Sequence, residues 1–289
     1  MSKSSDLHLG DFNCSATVDD SFIRKAFLQK QYFPHVKTEG EEFPPFFNSG
    51  NFTPDVADQL ANIQVKELSE TAWVELRTRR FDGLVRRLGL PHPVTYSRLV
   101  NHIADNWKHL SYLIESDHSR IKPQWHEDGR LIHMNYESTE EQLSRRAQHS
   151  HGKYFLVKAD ISNCFPSMYS HAIDWALRGK QVAKTDRTNK SWQARVDAYT
   201  RKMHEGETKG LMIGPAISNL LAEIVLQKID EHLVSESVSF TRYIDDYSVY
   251  CNVRSVAEQF IVKLNRALSE YRLDINRKKT EIYDLWRGD

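Results

Sequence analysis

The sequence predicts an α+β fold, in which a mainly helical part precedes a ferredoxin-like antiparallel sheet backed by helices. One observation is the order of hydrophobic patterns after residue 150: strand, helix, basic helical insert, long helix, strand pair, helix and strand. Without the insert this order is β-α-α-β-β-α-β, close to the split βαβ arrangement. The other is composition, since 40% of the 289 residues are hydrophobic and 11% are aromatic, as in globular proteins.

The first 150 residues are predicted to form two parts ahead of the sheet. Residues 1–54 are expected to be an N-terminal arm and linker, because an amphipathic helix at 19–33 is followed by a stretch rich in Pro, Gly and Asn. Residues 55–150 are expected to be mainly helical, with helices at 55–70 and 97–116.

A β-hairpin is predicted inside this helical part, at residues 121–136. Asp128-Gly129 lies there between two runs of alternating polar and apolar residues. Asp-Gly between such runs is the strongest short-range hairpin signal.

Residues 151–289 are predicted to form the sheet and its helices. Strands are expected at KYFLVKAD (153–160), as a pair in SFTRYIDDYSVYCNV (239–253), and near 280–286. The helices are expected at about 170–178, 215–234 and 254–272, with the basic insert at about 178–209.

Charge, cysteine content and hydropathy exclude some classes of protein. The 39 basic and 39 acidic residues cancel, so net charge alone does not indicate a nucleic-acid partner. Two basic stretches, at 77–87 and 178–202, either follow a phosphate backbone or are solvated helix faces. The cysteines lack zinc-site spacing and fit reduced thiols. No segment resembles a membrane span or a secretory signal, so we expect a cytoplasmic protein.

Asp245 and Asp246 stand inside FTRYIDDYSVY (240–250), a run of aromatic and β-branched residues. Charges in a strand interior are unfavourable unless something compensates them. Successive strand side chains point to opposite faces, so we expect the two aspartates at the tip of a two-residue hairpin, where they can share one side. A simple turn role is the alternative, since aspartate is common in turns.

A further carboxylate, Asp160, ends the apolar strand KYFLVKAD. In a ferredoxin-like sheet the first strand neighbours the central hairpin, so Asp160 and Asp245 are expected to meet at one edge. Converging carboxylates suit Mg²⁺ or Mn²⁺ rather than zinc or copper. Two such ions can support an in-line phosphoryl transfer.

Four stretches resemble, in order, the palm motifs of the reverse transcriptase family: ADISNCF, GLMIGPAISNLL, YIDD and LDINRKKT. Residues 165–180, FPSMYSHAIDWALRGK, are most similar to the bacterial abortive-infection and defence-associated members. The resemblance implies the fingers and palm of a right-hand polymerase, with fingers at 55–150, a fingers-type insert at about 178–209 and the palm at 151–289. We expect the thumb to be absent from this chain.

The resemblance also implies roles for single residues. Asp160 and Asp245 would hold two Mg²⁺ or Mn²⁺ ions, with Asp246 as the third carboxylate. Ile161 would lend its backbone carbonyl to a metal. Tyr243 would neighbour the end of the primer.

Further residues are implied in nucleotide binding and proton transfer. Phe165 would be a steric gate against ribonucleotides, with a core aromatic as the alternative. Gly214 would allow close backbone approach to template or nucleotide, and Pro215 would open the long helix. Lys279 would protonate the leaving pyrophosphate, with Lys278 or a merely solvated lysine as alternatives.

The triphosphate also needs cationic partners, for which arginine is suited. The candidates ahead of the first palm motif are Arg120, Lys122, Arg145 and Arg146. Ile213 departs from the family, in which Gln is usual, and this departure predicts unusual template use.

The expected activity is a reverse-transcriptase-type DNA polymerase that acts in bacterial antiphage defence. Its expected partners are dNTPs and an RNA or DNA template and primer. A non-coding RNA, a partner protein that supplies the thumb, and a homo-oligomer stay open. The alternatives are a group II intron or retron-like reverse transcriptase and, from another class, a catalytically silent nucleic-acid-binding or assembly module. The three intact aspartates favour an enzyme.

Overall fold

Helices and antiparallel sheets make up the computed structural model, which describes residues 18–34, 47–63, 73–79, 85–133, 139–186, 188 and 190–285. The predicted α+β class is therefore confirmed. One buried core runs from the N-terminal helix through the helical part to the larger sheet.

The N-terminal helix packs into the body of the protein. Helix α1 (Asp20–Lys25) continues as a π-helix (Ala26–Lys30), and the side chains of Ile23, Phe27 and Leu28 are fully buried. The structure thus differs from the predicted arm, because the apolar face of this helix belongs to the common core. Much of the predicted linker lies outside the described residues.

Gln31 joins this N-terminal segment to two distant parts of the chain. Its side-chain amide donates to the carbonyl of Ile132 at 2.6 Å and accepts from the backbone amides of Leu131 at 2.8 Å and Ile132 at 3.3 Å. Its own carbonyl accepts from the amide of Ala216 at 3.1 Å. Buried polar groups need hydrogen-bond partners, so Gln31 fixes the N-terminal segment against residues 131–132 and against Ala216.

The next helices are shorter than predicted. Helix α2 covers Pro54–Ala61 and helix α3 covers Pro93–Asp105, and 3₁₀ turns at Trp107–His109 and Ser111–Glu115 follow α3. Both α-helices begin at a proline, whose fixed φ and missing N–H suit the first turn. Residues 64–70 of the first predicted helix lie outside the described part.

An antiparallel hairpin lies between α2 and α3 and was not predicted. Strand β1 (Val74–Arg79) pairs with β2 (Val85–Leu90), with Arg77 opposite Arg87. Residues 77–79 and 85–87 of the basic stretch therefore belong to two paired strands and not to a helix face, and residues 80–84 lie outside the described part. Strand β1, VELRTR, alternates along its length, but β2, VRRLGL, places two arginines together and does not, so only one of the two strands carries the usual sequence signal.

Residues 121–133 contain the predicted turn but no strand, which corrects the predicted hairpin. Gly129 has a positive φ of 80°, as a tight turn allows. The amide of Gln124 donates across the turn to the carbonyl of Leu131 at 2.9 Å. The amide of Leu131 donates to the Gln31 side chain. It therefore does not form the hydrogen bond to Gln124 that a regular strand pair would have.

The larger sheet is antiparallel and four-stranded, with the order β4-β5-β3-β6. Its strands are β3 (Phe155–Asp160), β4 (Thr241–Tyr243), β5 (Asp246–Cys251) and β6 (Glu281–Asp284). Strands β3 and β5, which are the first and third of this sheet along the chain, lie at its centre. This order agrees with the predicted ferredoxin-like arrangement.

Helix α10 (Arg254–Glu270) packs on β3 and β5, and α9 (Ile217–Ser235) contacts β4 and β5 through Glu223 and Asp230. The other helices of this part are α4 (Thr139–Ser150), α5 (Cys164–Ser167), α6 (His171–Arg178), α7 (Lys180–Thr185) and α8 (Trp192–Met203). Val157, Ala159, Tyr247 and Val249 of the central strands are buried, whereas Lys158 is exposed. Alternate residues of the strands therefore face the core.

Two further expectations concern cysteines and membrane segments. Cys164 and Cys251 are buried and free, and Cys14 lies outside the described residues. Within the described ranges, no helix combines the length and apolar character needed to cross a bilayer.

Candidate active site

A two-residue turn joins β4 to β5 and carries one of the two adjacent aspartates. Tyr243 pairs with Asp246, so Ile244 and Asp245 form the turn and Asp246 opens β5. The prediction that both aspartates occupy the tip is therefore wrong by one position. The register explains the shift, because Asp246 is paired as a strand residue with Asp160 of β3.

The turn is held on both sides by hydrogen bonds to its carbonyl groups. Ile244 has a positive φ of 55°, which is unfavourable for a β-branched residue. Its carbonyl accepts from the guanidinium of Arg242 at 3.0 Å. The carbonyl of Asp245 accepts from the amide of Ile161 at 3.1 Å, which links the turn to the residue after β3.

Asp160 is buried at the end of β3, and the segment before β6 folds back onto it. Asn276 donates from its side-chain amide to Oδ1 of Asp160 at 2.8 Å, and Lys279 donates from Nζ to Oδ2 at 2.9 Å. The backbone amide of Asn276 also donates to the Asp160 carbonyl at 2.7 Å. The structure thus brings Asp160, Asp245, Asp246 and Lys279 to one edge of the sheet.

Burial and neighbouring negative charge raise the pKa of two carboxylates at this edge, Asp245 and Asp246. Burial raises the pKa of Asp245 to about 6, and the charges of Asp246 and Asp160 add to this rise. Desolvation and the charge of Asp160 raise the pKa of Asp246. The hydrogen bond to Asp160 raises the pKa of Lys279, which keeps this lysine protonated. Three carboxylates face one ammonium group, so the edge has an excess of negative charge.

This donor set fits a divalent cation in its chemistry. Carboxylate oxygen atoms suit Mg²⁺ and Mn²⁺, and the excess negative charge calls for a cation. Among the described residues, no three His, Cys, Asp or Glu side chains stand close enough together to ligate an ion. Each oxygen atom of Asp160 accepts one hydrogen bond, from Asn276 and from Lys279 respectively, so the ammonium group of Lys279 occupies part of the space beside this carboxylate.

The loop before α9 is fixed between α5 and the β1–β2 hairpin. The amide of Leu211 donates to the carbonyl of Phe165 at 2.8 Å, and the amide of Gly89 in β2 donates to the carbonyl of Ile213, also at 2.8 Å. These bonds connect the turn after Asp160 to the hairpin through this loop.

Gly214 allows a close backbone approach, as predicted, but the approach is to another part of this chain. Its φ is 138°, and a Cβ atom there would lie 3.0 Å from the carbonyl oxygen of Gly89 and 3.0 Å from Cγ of Pro34. A side chain would therefore push the hairpin away. Pro215 is buried beside it, two residues before α9 begins.

Three predicted residues lie around the aspartates. The ring of Phe165 is half-buried on the short helix α5 and packs against the core, so the steric-gate and core roles both stay open. Tyr243 is half-buried beside Asp246. Ile161 is buried, and its amide is the donor to Asp245.

Two of the predicted cations lie beside β4. The amide of Arg120 donates to the carbonyl of Arg242 at 2.9 Å, so its backbone flanks the strand that leads to the turn. Lys122 follows two residues later and is half-buried.

Arg145 and Arg146 lie on a helix that contacts the sheet at Tyr250. Both belong to α4, whose His149 stacks on Tyr250 with 5.9 Å between ring centroids. Tyr250 is four residues along β5 from Asp246, a distance of about 14 Å at the usual rise of a strand. Helix α4 thus contacts the opposite end of β5.

Sequence reasoning missed two features of the site. One is Arg242, a wholly buried charged residue inside the apolar run before Tyr243, a position as unusual as that of the aspartates. The other is the arginine-bearing hairpin, in which β1 alternates polar and apolar residues but β2 does not. A buried arginine could have been suspected from its neighbours, but its acceptors lie on α9 and are not visible in the local sequence.

Comparisons with known proteins cover most of the chain. The sequence model of reverse transcriptase (RNA-dependent DNA polymerase) matches residues 86–285. No curated protein sequence matches the chain.

Solved telomerase structures show some similarity to this chain. One is telomerase from Candida albicans in complex with a TWJ fragment of telomeric RNA, at TM-score 0.48 and 10% identity, covering 84% of this chain and 48% of that one. Another is apo telomerase from Candida tropicalis truncated from its C-terminal domain, at TM-score 0.49 and 15% identity, covering 89% and 60%. The chain spans less than two thirds of either structure.

Replacing Asp245 by Asn is expected to stabilise the metal-free protein at pH 7.5. A carboxyl pKa raised from 3.8 to about 6 contributes stability that is complete below pH 3.8 and lost as the pH rises through 6. Asp245→Asn should therefore raise the free energy of unfolding by about 1–3 kcal/mol at pH 7.5, with the gain vanishing near pH 4. Urea unfolding followed by circular dichroism between pH 4 and pH 8 measures this.

Asp274→Asn is the matched control for this experiment, because Asp274 is an exposed carboxylate near the same sheet edge. It should change the free energy of unfolding by less than about 0.5 kcal/mol. A destabilised Asp245→Asn protein at pH 7.5 would contradict the electrostatic account of the site.

Proposed function

Because the chain belongs to the reverse transcriptase (RNA-dependent DNA polymerase) family, we propose that it adds dNTPs to a primer 3′-hydroxyl by two-metal phosphoryl transfer at Asp160, Asp245 and Asp246. The observation that carries this proposal is the register of Asp160 opposite Asp246, with Asp245 in the adjoining turn. All three lie inside the matched region. Family membership supports RNA-directed DNA polymerase activity. The two-metal mechanism at these aspartates is proposed in addition.

The three carboxylates would hold the ions, and Mg²⁺ or Mn²⁺ bound there would activate the primer hydroxyl and neutralise the leaving pyrophosphate. Asp245 and Asp246 lose their protons above their raised pKa values, so the site binds cations better as the pH rises above about 6. Ile161 supports this set through its bond to the Asp245 carbonyl, and the metal contact of its own carbonyl remains a proposal.

Lys279 would change partners during the reaction. In the structure its Nζ lies 2.9 Å from Asp160, and it holds a proton firmly. When Asp160 binds a cation, the released ammonium group can donate to the pyrophosphate oxygen that leaves. The contact to Asp160 favours Lys279 over the exposed Lys278 for this role.

The β1–β2 hairpin and the segment beside β4 would bind phosphates. The hairpin carries Arg77 and Arg87 and is bonded through Gly89 to the loop before α9. Arg120 and Lys122 follow Ser119, which forms an isolated β-bridge with Arg242 of β4. This placement favours these cations over Arg145 and Arg146, which lie on α4. Arginine binds phosphate oxygen atoms in a bidentate manner.

The finer biological proposal is a role in antiphage defence in the bacterial cytoplasm. Its support is the similarity of residues 165–180 to defence-associated reverse transcriptases. The expected partners are an RNA or DNA template and primer, together with a non-coding RNA, a thumb-supplying protein or a second copy of the chain. A group II intron or retron-like enzyme would instead copy a defined partner RNA in the ordinary way. A silent module would be stabilised by metal without turnover.

Incorporation of dNTPs should depend on all three aspartates. Asp160→Asn, Asp245→Asn and Asp246→Asn should each reduce incorporation at least about a hundredfold, because bound metal supplies several kcal/mol of transition-state stabilisation. Primer extension with Mg²⁺ or Mn²⁺ measures this, and Asp274→Asn is the control. Activity that survives in the variants would exclude these aspartates as metal ligands, and metal-dependent stabilisation without extension would favour the silent module.

Phe165→Val should admit ribonucleotides. If the ring excludes the 2′-hydroxyl, the ratio of rNTP to dNTP incorporation should rise about tenfold or more. Phe155→Val is the matched control, because Phe155 is a half-buried ring at the opposite end of β3. Equal ratios in both variants would assign Phe165 to packing alone.

Protection against phage should disappear with the metal ligands. A bacterium that expresses the chain with its natural partners should show fewer plaques than one that expresses Asp245→Asn at the same protein level. Asp274→Asn should protect like the natural sequence. Equal protection by Asp245→Asn would separate any defence role from polymerisation, and no protection by the natural sequence against a broad phage panel would contradict the role itself.

A further inference from the structure

Arg242 is the largest side chain that is wholly buried in the described part of the protein. It lies in β4, two residues before the turn that carries Asp245. Arginine stays charged in proteins, so its burial requires acceptors for all of its five N–H groups.

Helix α9 supplies the negative partners of Arg242. Glu223 accepts at 2.8 Å from Nη1 and at 2.9 Å from Nη2, and Asp230 accepts at 2.9 Å from Nε and at 2.7 Å from Nη2. Both carboxylates are buried, and they are seven residues apart, on one side of the helix. The hydroxyl of Tyr247 donates to Asp230 at 2.9 Å and completes the cluster.

The remaining guanidinium N–H donates outside this cluster. Nη1, which Glu223 orients, also donates to the carbonyl of Ile244 at 3.0 Å. Ile244 holds the unfavourable positive φ that turns the chain into Asp245. A backbone conformation of this kind persists only where its surroundings hold it, and the guanidinium is the charged group that does so here.

Strand β4 gives this contact a rigid base. The amide of Arg242 donates to the carbonyl of His118 at 2.8 Å, and its carbonyl accepts from the amide of Arg120 at 2.9 Å. On the other edge β4 pairs with β5. The strand is thus fixed on both edges. If the contact between Arg242 and Ile244 loosens, the turn will therefore move and the strand will not.

We propose that Arg242 is a positioning residue that, held by Glu223 and Asp230, fixes the Ile244 carbonyl and thereby aims Asp245 at Asp160 for cation binding. The inference rests on the proposed function for its meaning, since Asp245 matters as a metal ligand. The competing explanation is that the cluster only stabilises the fold, in which case loss of stability and loss of cation binding should run in parallel.

Arg242→Lys tests the proposal, because one ammonium group cannot reach both carboxylates and the Ile244 carbonyl together. We expect hydrogen exchange of the peptide that contains Ile161, whose amide is bonded to Asp245, to accelerate at least tenfold. We also expect the dissociation constant for Mn²⁺, measured by calorimetry without nucleotide, to rise at least tenfold.

Tyr247→Phe is the matched control. It removes a hydrogen bond from the same buried cluster without touching the Ile244 carbonyl. In Tyr247→Phe, the hydrogen-exchange rate at the Ile161 peptide and the dissociation constant for Mn²⁺ should stay within twofold of the natural protein. This should hold even if urea unfolding shows that it loses as much stability as Arg242→Lys. If both variants change the readouts in proportion to their loss of stability, the cluster is merely structural and the proposal is overturned.

A second variant covers the case in which Arg242→Lys does not fold. Arg242→Met combined with Glu223→Gln and Asp230→Asn removes the three charges together, so no unpaired charge stays buried. This folded variant should show the same faster exchange and weaker Mn²⁺ binding. If either folded variant keeps the hydrogen-exchange rate and the Mn²⁺ dissociation constant of the natural protein, the proposal is overturned.

These readouts need no turnover, so they separate the two proposals. A natural protein that binds Mn²⁺ but extends no primer would contradict the proposed function and leave the positioning result standing. Should the natural protein bind no Mn²⁺, hydrogen exchange at the Ile161 peptide alone decides the question.

Discussion

The pairing of β3 with β5 is the constraint on which the rest of the site depends. Its register places Asp160 opposite Asp246 at one end and buries Val157 and Val249 farther along. Since side chains alternate along a strand, a slip by one residue would turn the buried set to the open face and the carboxylates into the core. The apolar residues behind the sheet therefore determine where the charged residues stand.

This register concentrates negative charge, and two cationic side chains lie near it in different surroundings. Lys279 contacts Asp160 from the open side, where an exposed ammonium group is free to be exchanged for another cation. Arg242 lies behind the turn, wholly buried and held by two carboxylates of α9, where nothing can exchange for it. Because Lys279 is exposed and Arg242 is buried, another cation can replace Lys279 but not Arg242.

The parts ahead of the sheet reach the site through backbone contacts. A Cβ atom at Gly214 would lie 3.0 Å from the carbonyl oxygen of Gly89, and one at Gly89 would lie 2.9 Å from the side chain of Met212. Gln31 joins the N-terminal segment to the start of α9. These contacts make the β1–β2 hairpin continuous with the loop that leads into the long helix. A hairpin rich in arginine is thereby connected to the edge that carries the aspartates.

The sequence alone determined the α+β class, the elements from β3 to β6 and the identity of the three aspartates, because hydrophobic periodicity and the ordered motifs are local properties. It did not reveal the β1–β2 hairpin, whose second strand lacks the alternation of polar and apolar residues, or the packing of α1, whose partners are distant in the chain. The exact turn, Ile244 with Asp245, was decided by the register with Asp160. The partners of Arg242 were decided by α9, since a buried charge is satisfied by whatever the tertiary fold brings to it.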